Sequence, residues 1–424
     1  MRIPPASHFR GRFTLPGDKS ISHRAALFGA MAEGETRIVN FSSAADCAST
    51  LRCLRALGVE IEQDGHRLLV RGRGLEAWRQ PAAPLDAGNS GSTLRMLAGA
   101  LAGRPFRAVL TGDDSLRRRP VERVAAPLRL MGARATSTDG KPPLALEGGR
   151  LRPLVYESPV ASAQVKTAVL LAGLQAEGPT TVREPAASRD HTERMLPLFG
   201  VPVERDGLAV TVRGVARLRG ADVEVPGDVS GAAFPVVAAL VLPDSEVRLE
   251  GVLLSPGRTA FLEVLRAMGG AVETGLTSST PEPVGFITAR SSRLRGVAVP
   301  PALVPALIDE VPALAVAAAF AEGTFTVSGA EELRVKESDR IAALAEGLGR
   351  MGAAVEERPD GLVVRGGRPL RGAVVRSFGD HRIAMCFAVA ALAAEGPTEL
   401  EEAECASVSF PGFYDLLARG GGGA

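Results

Sequence analysis

Six times along the chain, Gly, Asp, Asn or Ser opens a stretch of about four helical turns that is apolar on nearly every side. The first runs from Leu15-Pro16-Gly17-Asp18-Lys19-Ser20 through Ala25 to Gly34. Later copies begin near Gly88-Asn89-Ser90-Gly91, Ala161-Ser162-Ala163-Gln164, Gly227-Asp228-Val229-Ser230, Ile308-Asp309-Glu310 and Gly379-Asp380-His381-Arg382. A β-branched run such as Glu35 to Phe41 follows, then an amphipathic segment ending in Gly and a short strand. The amphipathic segments span 46–57, 121–131, 192–199, 259–268 and 337–351, closed by Gly58, Gly132, Gly200, Gly269 and Gly352. The sixth is cut short at 413–418. A repeat of roughly 70 to 80 residues fixes the architecture before any single residue is weighed. The unit it predicts is β-α-β-α-β-β.

The two helices of a unit differ in kind. The second carries charge on one face, as a surface helix does. The first is rich in Ala and Gly and is expected to be buried, with small residues that let neighbours approach closely. The economical arrangement is α/β, with two domains of three units, each around three parallel buried helices. The expected boundaries are residues 1–16 with 229–424 for one domain and an inserted 17–228 for the other. Parallel helices point their positive N-terminal ends the same way, which favours anions. Asp18, Asn89, Ser162, Asp228 and Asp380 stand where N-caps are expected.

Composition narrows the chemistry. The chain has 424 residues, 49 Lys and Arg against 48 Asp and Glu, and only one Trp and two Tyr. That balance argues against a general nucleic-acid or membrane-surface role, and the scarce rings leave little to stack on bases. Cys47, Cys53, Cys386 and Cys405 form no CxxC pair, and five His show no metal-ligand spacing. No signal-peptide core is seen in 1–11, and the apolar stretch 311–321 is too short to span a bilayer. A cytoplasmic protein with reduced thiols is expected, with a frayed tail at 420–424.

Cations crowd positions where the helix dipole opposes them. Lys19 and Arg24 sit at the first buried helix and Arg382 at the sixth. Lys336 and Arg340 flank Glu337 and Asp339, Arg119 ends an Arg-rich run, and Arg189 stands in Ser188-Arg189-Asp190-His191. An anionic ligand is the expected compensation.

These residues carry a family resemblance. LPGDKSISHRAALFGAMAEGETRI resembles the N-terminal signature of the 5-enolpyruvylshikimate-3-phosphate synthases. GNSGSTLRMLAGALAG, GDDSLRRRPVERVAAPLRLMGA, ASAQVKTAVLLAG, RVKESDRIAALAEGL and GDHRIAMCFAVAAL resemble the family's other blocks in order, from about Leu15 to Pro411. The resemblance implies two domains of three βαβαββ units, an inside-out α/β barrel, with the active site in the interdomain cleft. It implies that the 5-hydroxyl of shikimate 3-phosphate attacks phosphoenolpyruvate and that phosphate leaves from a tetrahedral adduct. No metal or organic cofactor is implied.

By matching motif positions, Lys19, Ser20 and Arg24 would contact both substrates. Ser162, Gln164, Ser188 and Arg189 would bind shikimate 3-phosphate, with Gln164 also reaching phosphoenolpyruvate. Gly91, Arg119, Arg340 and Arg382 would bind phosphoenolpyruvate. Asp309 would be the base near the 5-hydroxyl and Glu337 the proton donor to the methylene carbon, with Lys336 and Lys19 completing the catalytic set and Lys336 contributing at both substrates. Read alone, Asp309 could equally cap a helix, and Glu337 could be a surface or capping-box residue. Closure of the two domains on bound anion is expected, in a monomer without nucleic-acid or membrane partners.

One position departs from the pattern. Many members of the family carry Lys just before a Thr/Ser-Phe-Pro near the C-terminus, and here Val408 precedes Ser409-Phe410-Pro411. The wording around Asp309 and Ser188 resembles the branch that lacks this Lys, so activity with altered phosphoenolpyruvate contacts is expected. Gly91 leaves room in the pocket that the family inhibitor glyphosate occupies. A UDP-N-acetylglucosamine enolpyruvyl transferase is the nearest rival, but its loop Cys is replaced here by 117–119, all Arg. A non-catalytic anion-binding scaffold is a rival from another class, and Asp309, Lys336 and Glu337 argue against it.

Overall fold

Each of the six apolar stretches is helical, at Lys19–Met31, Gly91–Leu101, Ala163–Gly173, Val229–Val241, Val311–Phe320 and His381–Leu392. The computed structural model describes residues 1–214 and 217–422. Every residue of His381–Leu392 is buried, and so is each from Val165 to Gly173. Helices this apolar cannot face water on any side. The amphipathic helices lie outside them, as at Ala260–Ala267, where Phe261, Leu262, Val264 and Leu265 are buried between Glu263 and Arg266. No single helix among the described residues is long and apolar enough to cross a membrane.

The five closing glycines share one backbone conformation. Gly58, Gly132, Gly200, Gly269 and Gly352 have φ between 79° and 105°. That left-handed turn ends each amphipathic segment and starts the next strand, and a Cβ would strain it.

Four of the six small sheets repeat one topology, and the fifth unit's sheet, Thr324–Val327, Gly361–Arg365 and Ala354–Arg358, is antiparallel throughout and has no first strand among the described residues. In the second unit the order is Leu85–Asp86, Arg107–Thr111, Lys141–Glu147, Arg134–Thr138, with the first pair parallel and the rest antiparallel. The third unit repeats it with Val155–Glu157, Pro179–Arg183, Ala209–Arg213 and Val203–Asp206. Units one and four take their first strand from elsewhere. Asp222–Glu224 runs parallel to Glu33–Val39, and Arg10–Thr14 runs parallel to Glu246–Leu253. In the shortened sixth unit Arg2–Ile3 pairs antiparallel with Thr398–Glu401, supplying the strand that the repeat lacks.

By packing, the chain divides into two units, Met1–Pro16 with Pro226–Ala424, and Gly17–Val225. In Gly17–Val225, the Gly91–Leu101 and Ala163–Gly173 helices run parallel. Ser92 and Arg95 bond to Gln164 near both N-termini, while the carbonyls of Gly99 and Ala100 accept from Gln175 at the far ends. In the other unit, Ser230 donates to Glu310 and Arg382 donates to the Asp309 carbonyl, so three helix starts meet.

Three local expectations need correction. Ser90, not Asn89, caps Gly91–Leu101, because its hydroxyl accepts from the Thr93 amide while Asn89 is engaged by Asp113 and Arg119. The capping alternative for Asp309 does not hold at Val311–Phe320, whose N-cap position is Glu310, and Asp309 faces cations. Gly420 does not fray. It is the buried last residue of Phe413–Gly420, where a Cβ would lie 2.2 Å from the Phe9 ring. The end of the expected tail, 423–424, lies outside the described residues.

Candidate functional site

Capping side chains set the starts of the core helices. Asp18 accepts from the Ile21 amide, Asp228 from Ser230 and Asp380 from Arg382. Of the fourteen residues that the sequence singled out, Lys19, Ser20, Gly91, Ser162, Gln164 and Arg382 stand at or beside core-helix starts. Nine lie in Gly17–Val225 and five in the other unit, so each group is described by itself.

In Gly17–Val225, Lys19 is the first helical residue and its Nζ lies 2.7 Å from Asp46 Oδ2. The charge at that N-terminus is therefore balanced in part by a carboxylate of the chain. Ser20 is half-buried in the same first turn, and its carbonyl accepts from Arg24. Arg24 sits in the second turn, buried, donating to Thr192 and Thr167 at 2.8 and 2.9 Å. Between them His23 is fully buried and its pKa is pushed down to about 3, chiefly by that burial. Asp46 opposes the shift, and Lys19 and Arg24 add to it. The ring bonds to Thr50, which bonds in turn to Thr93.

Gly91, Arg119 and Gln164 have neighbours that the sequence did not assign to them. Arg119 donates to the Asn89 side chain at 2.6 Å and to Ser115 at 3.1 Å. Arg95 donates to Gln164 Oε1 at 2.6 Å and to the Pro120 carbonyl at 3.2 Å. A Cβ on Gly91 would stand 2.8 Å from that same Arg95 guanidinium and 3.8 Å from Arg119.

Ser162 and Ser188 are joined through Glu184, whose carboxylate accepts the Ser162 amide at 2.9 Å and the Ser188 hydroxyl at 2.8 Å. Arg189 follows in the half-buried loop before His191–Met195.

In the second unit the five residues form one ion cluster centred on Arg340, which is only 1% exposed. Its Nε donates to Asp380 at 2.8 Å, its Nη2 to Glu337 at 2.6 Å and its Nη1 to Asp309 at 3.5 Å. Lys336 lies 3.6 Å from Asp309, and Arg382 lies 3.9 Å from it. Burial alone would lift the Asp380 carboxyl, but Arg340 more than offsets it and holds the group below the usual carboxylate range. Burial likewise opposes the Arg340 charge, and Asp380, Glu337 and Asp309 reverse that and strengthen it. Such a cluster holds two carboxylates, Asp309 and Glu337, among cations that can also take up anionic oxygens. Val408, where the sequence departs, is half-buried at the end of a 3₁₀ turn, Ala403–Val408.

The sequence reading missed Asp46, Arg95, Lys166, Glu184 and Glu193. Arg95 and Lys166 had a signal, since each is a lone charge inside an otherwise apolar helix. Glu184 had none, because a carboxylate just after a strand is ordinary in sequence.

The chain is similar to known proteins along nearly its whole length. The family described as EPSP synthase (3-phosphoshikimate 1-carboxyvinyltransferase) matches residues 3–417. A 3-phosphoshikimate 1-carboxyvinyltransferase of Desulforamulus reducens is 50% identical over 419 residues, covering 98% of each chain. One of Pelotomaculum thermopropionicum is 55% identical over 426 residues, covering 99% of this chain and 98% of its own. Among solved structures, an EPSP synthase of Acinetobacter baumannii superposes with a TM-score of 0.88 at 43% identity, covering 99% of this chain and 97% of that one.

Proposed function

Because the chain belongs to the EPSP synthase (3-phosphoshikimate 1-carboxyvinyltransferase) family, transferases of the shikimate pathway to aromatic amino acids, we propose that it transfers the enolpyruvyl group of phosphoenolpyruvate to the 5-hydroxyl of shikimate 3-phosphate. In this reading the hydroxyl oxygen attacks the phosphate-bearing carbon while Asp309 takes its proton. Glu337 protonates the methylene carbon, giving a tetrahedral adduct. Expulsion of inorganic phosphate, with loss of a proton from the new methyl group, leaves the enol ether.

The observation that carries the reading is the Arg340 cluster. General acid and base carboxylates have to stand near the anions they act on, and that requires cations beside them. Asp309 and Glu337 share Arg340, and Lys336 and Arg382 lie within 4 Å of Asp309. Arg340 and Arg382 would then bind phosphoenolpyruvate, and the same role is proposed for Gly91, Arg119, Gln164 and Lys19. Lys19, Ser20, Arg24, Ser162, Gln164, Ser188, Arg189, Asp309 and Lys336 would act on shikimate 3-phosphate. Helix N-termini capped at Asp18, Ser162 and Asp380 add oriented N–H groups, which suit phosphate.

The test is inorganic phosphate release from phosphoenolpyruvate, with and without shikimate 3-phosphate, for the wild type and Glu337→Gln. Release is expected only with both substrates, and the variant is expected to lose about a hundred-fold or more, the usual scale of general acid catalysis. Release with a UDP sugar in place of shikimate 3-phosphate, or full activity of Glu337→Gln, would overturn the assignment.

A further inference from the structure

Beneath Ser162 and Ser188 lies a buried triad that the proposed chemistry does not use. Lys166 Nζ is 2.7 Å from Glu184 Oε2 and 2.7 Å from Glu193 Oε1, and all three side chains are at most 3% exposed. One buried ammonium facing two carboxylates is an expensive arrangement, and structure alone could be satisfied by apolar residues of the same volume. Its connections point to something more specific. Glu184 reaches past Lys166 to both serines, accepting the Ser162 backbone amide through Oε1 and the Ser188 hydroxyl through Oε2.

The two hydroxyls are left in different states. Ser162 Oγ accepts from the Val165 amide as the helix cap, a bond that does not use the hydroxyl's own hydrogen. The Ser188 hydrogen is directed at Glu184. A phosphate offers only acceptors, so Ser188 can bond to it only by turning its hydrogen away from Glu184. Lys166 stays on Glu184 Oε2 through that turn, and the carboxylate is not stranded.

We propose that Glu184 is a positioning residue for the shikimate 3-phosphate pocket. It holds Ser162 and Ser188 in register for the incoming phosphate group, with Lys166 as the fixed counter-charge that lets Ser188 change partners. The proposal rests on the reading that these two serines bind shikimate 3-phosphate.

Michaelis constants for both substrates, with melting temperatures, are to be measured for Ser162→Ala, Ser188→Ala, Glu184→Ala, Glu184→Gln and the Glu184→Ala/Ser188→Ala double variant. Glu184→Ala leaves Lys166 paired with Glu193 and is expected to raise the constant for shikimate 3-phosphate about ten-fold, the scale of a lost charge-assisted hydrogen bond. The constant for phosphoenolpyruvate should move less than about two-fold on the same scale. Adding Ser188→Ala to Glu184→Ala should cost less than Ser188→Ala does alone, because contacting residues couple. Glu184→Gln keeps an acceptor for the Ser162 amide and should fall between wild type and Glu184→Ala. It also carries the test if the alanine variant does not fold. Equal rises in both constants, or full additivity, would show a merely structural triad and overturn the proposal. Serine variants that leave the shikimate 3-phosphate constant unchanged would overturn the reading of the serines, and the role of Glu184 with it. Serine effects without a Glu184 effect would remove Glu184 alone.

Discussion

At Gly91 one missing methyl group decides where the Arg95 guanidinium can stand. An added Cβ meets the Arg95 guanidinium at 2.8 Å, and that is the flexible end of a side chain, so the helix itself need not move. Arg95 must then shift against Gln164 and Pro120. Gly91→Ala is expected to raise the glyphosate inhibition constant more than the Michaelis constant for phosphoenolpyruvate, and steady-state inhibition kinetics would settle it. Equal changes in both would sink the idea. His23 bears on stability rather than on binding. Its pKa is about 3 in the fold, against 6.5 for an ordinary His. Between those values the unfolded chain carries one more proton, so stability falls as pH falls through that window and is full above it. His23→Gln should flatten urea-measured stability below pH 6.5, by a slope that approaches about 1.4 kcal/mol per pH unit near pH 5. An unchanged slope would mean that the ring charges without unfolding the site.

Among the elements, the parallel helix pair leaves no room for an added carbon where its two backbones meet. A Cβ at Gly99 would stand 2.1 Å from the Ala168 carbonyl oxygen, which is backbone and cannot swing aside. Gly99→Ala is expected to destabilise the protein by about 1–3 kcal/mol, the range for overpacking, read as a lower denaturant midpoint. The alternation of apolar helix, strand and amphipathic helix made these elements readable before any coordinates, because burial on all sides leaves an unmistakable composition. The closing glycines were readable for the same kind of reason, since only one residue type suits their φ. What could not be read was pairing across distance. Nothing local marks Asp46 as the partner of Lys19 or Glu184 as the partner of two serines. Nor could adjacent candidates for one cap be separated, because Asn89 and Ser90 both suit the role and only the Asp113 and Arg119 contacts take Asn89 away.

The whole molecule shows an asymmetry between its two units. All the strands of the three sheets in Gly17–Val225 come from that stretch, including Asp222–Glu224, which closes the first sheet. Residues 17–225 expressed alone are therefore expected to melt cooperatively by circular dichroism. Residues 226–424 alone lack Arg2–Ile3 and Arg10–Thr14, and should melt at lower temperature until a peptide of residues 1–16 is added. Matching melts with and without the peptide would contradict this.

That asymmetry orders events on the ribosome. Residues 1–16 are made before the inserted unit, yet their partners at Glu246–Leu253 and Thr398–Glu401 emerge only after all of it. At about 5–20 residues per second the leading strand waits on the order of tens of seconds, while residues 17–225 can complete their sheets behind it. A waiting strand is a template for wrong pairing, and charge on its face is the usual protection. Arg10 and Arg12 are exposed in Arg10–Thr14 even in the finished fold, so the protection this strand needs during synthesis is retained along the sheet edge it later occupies.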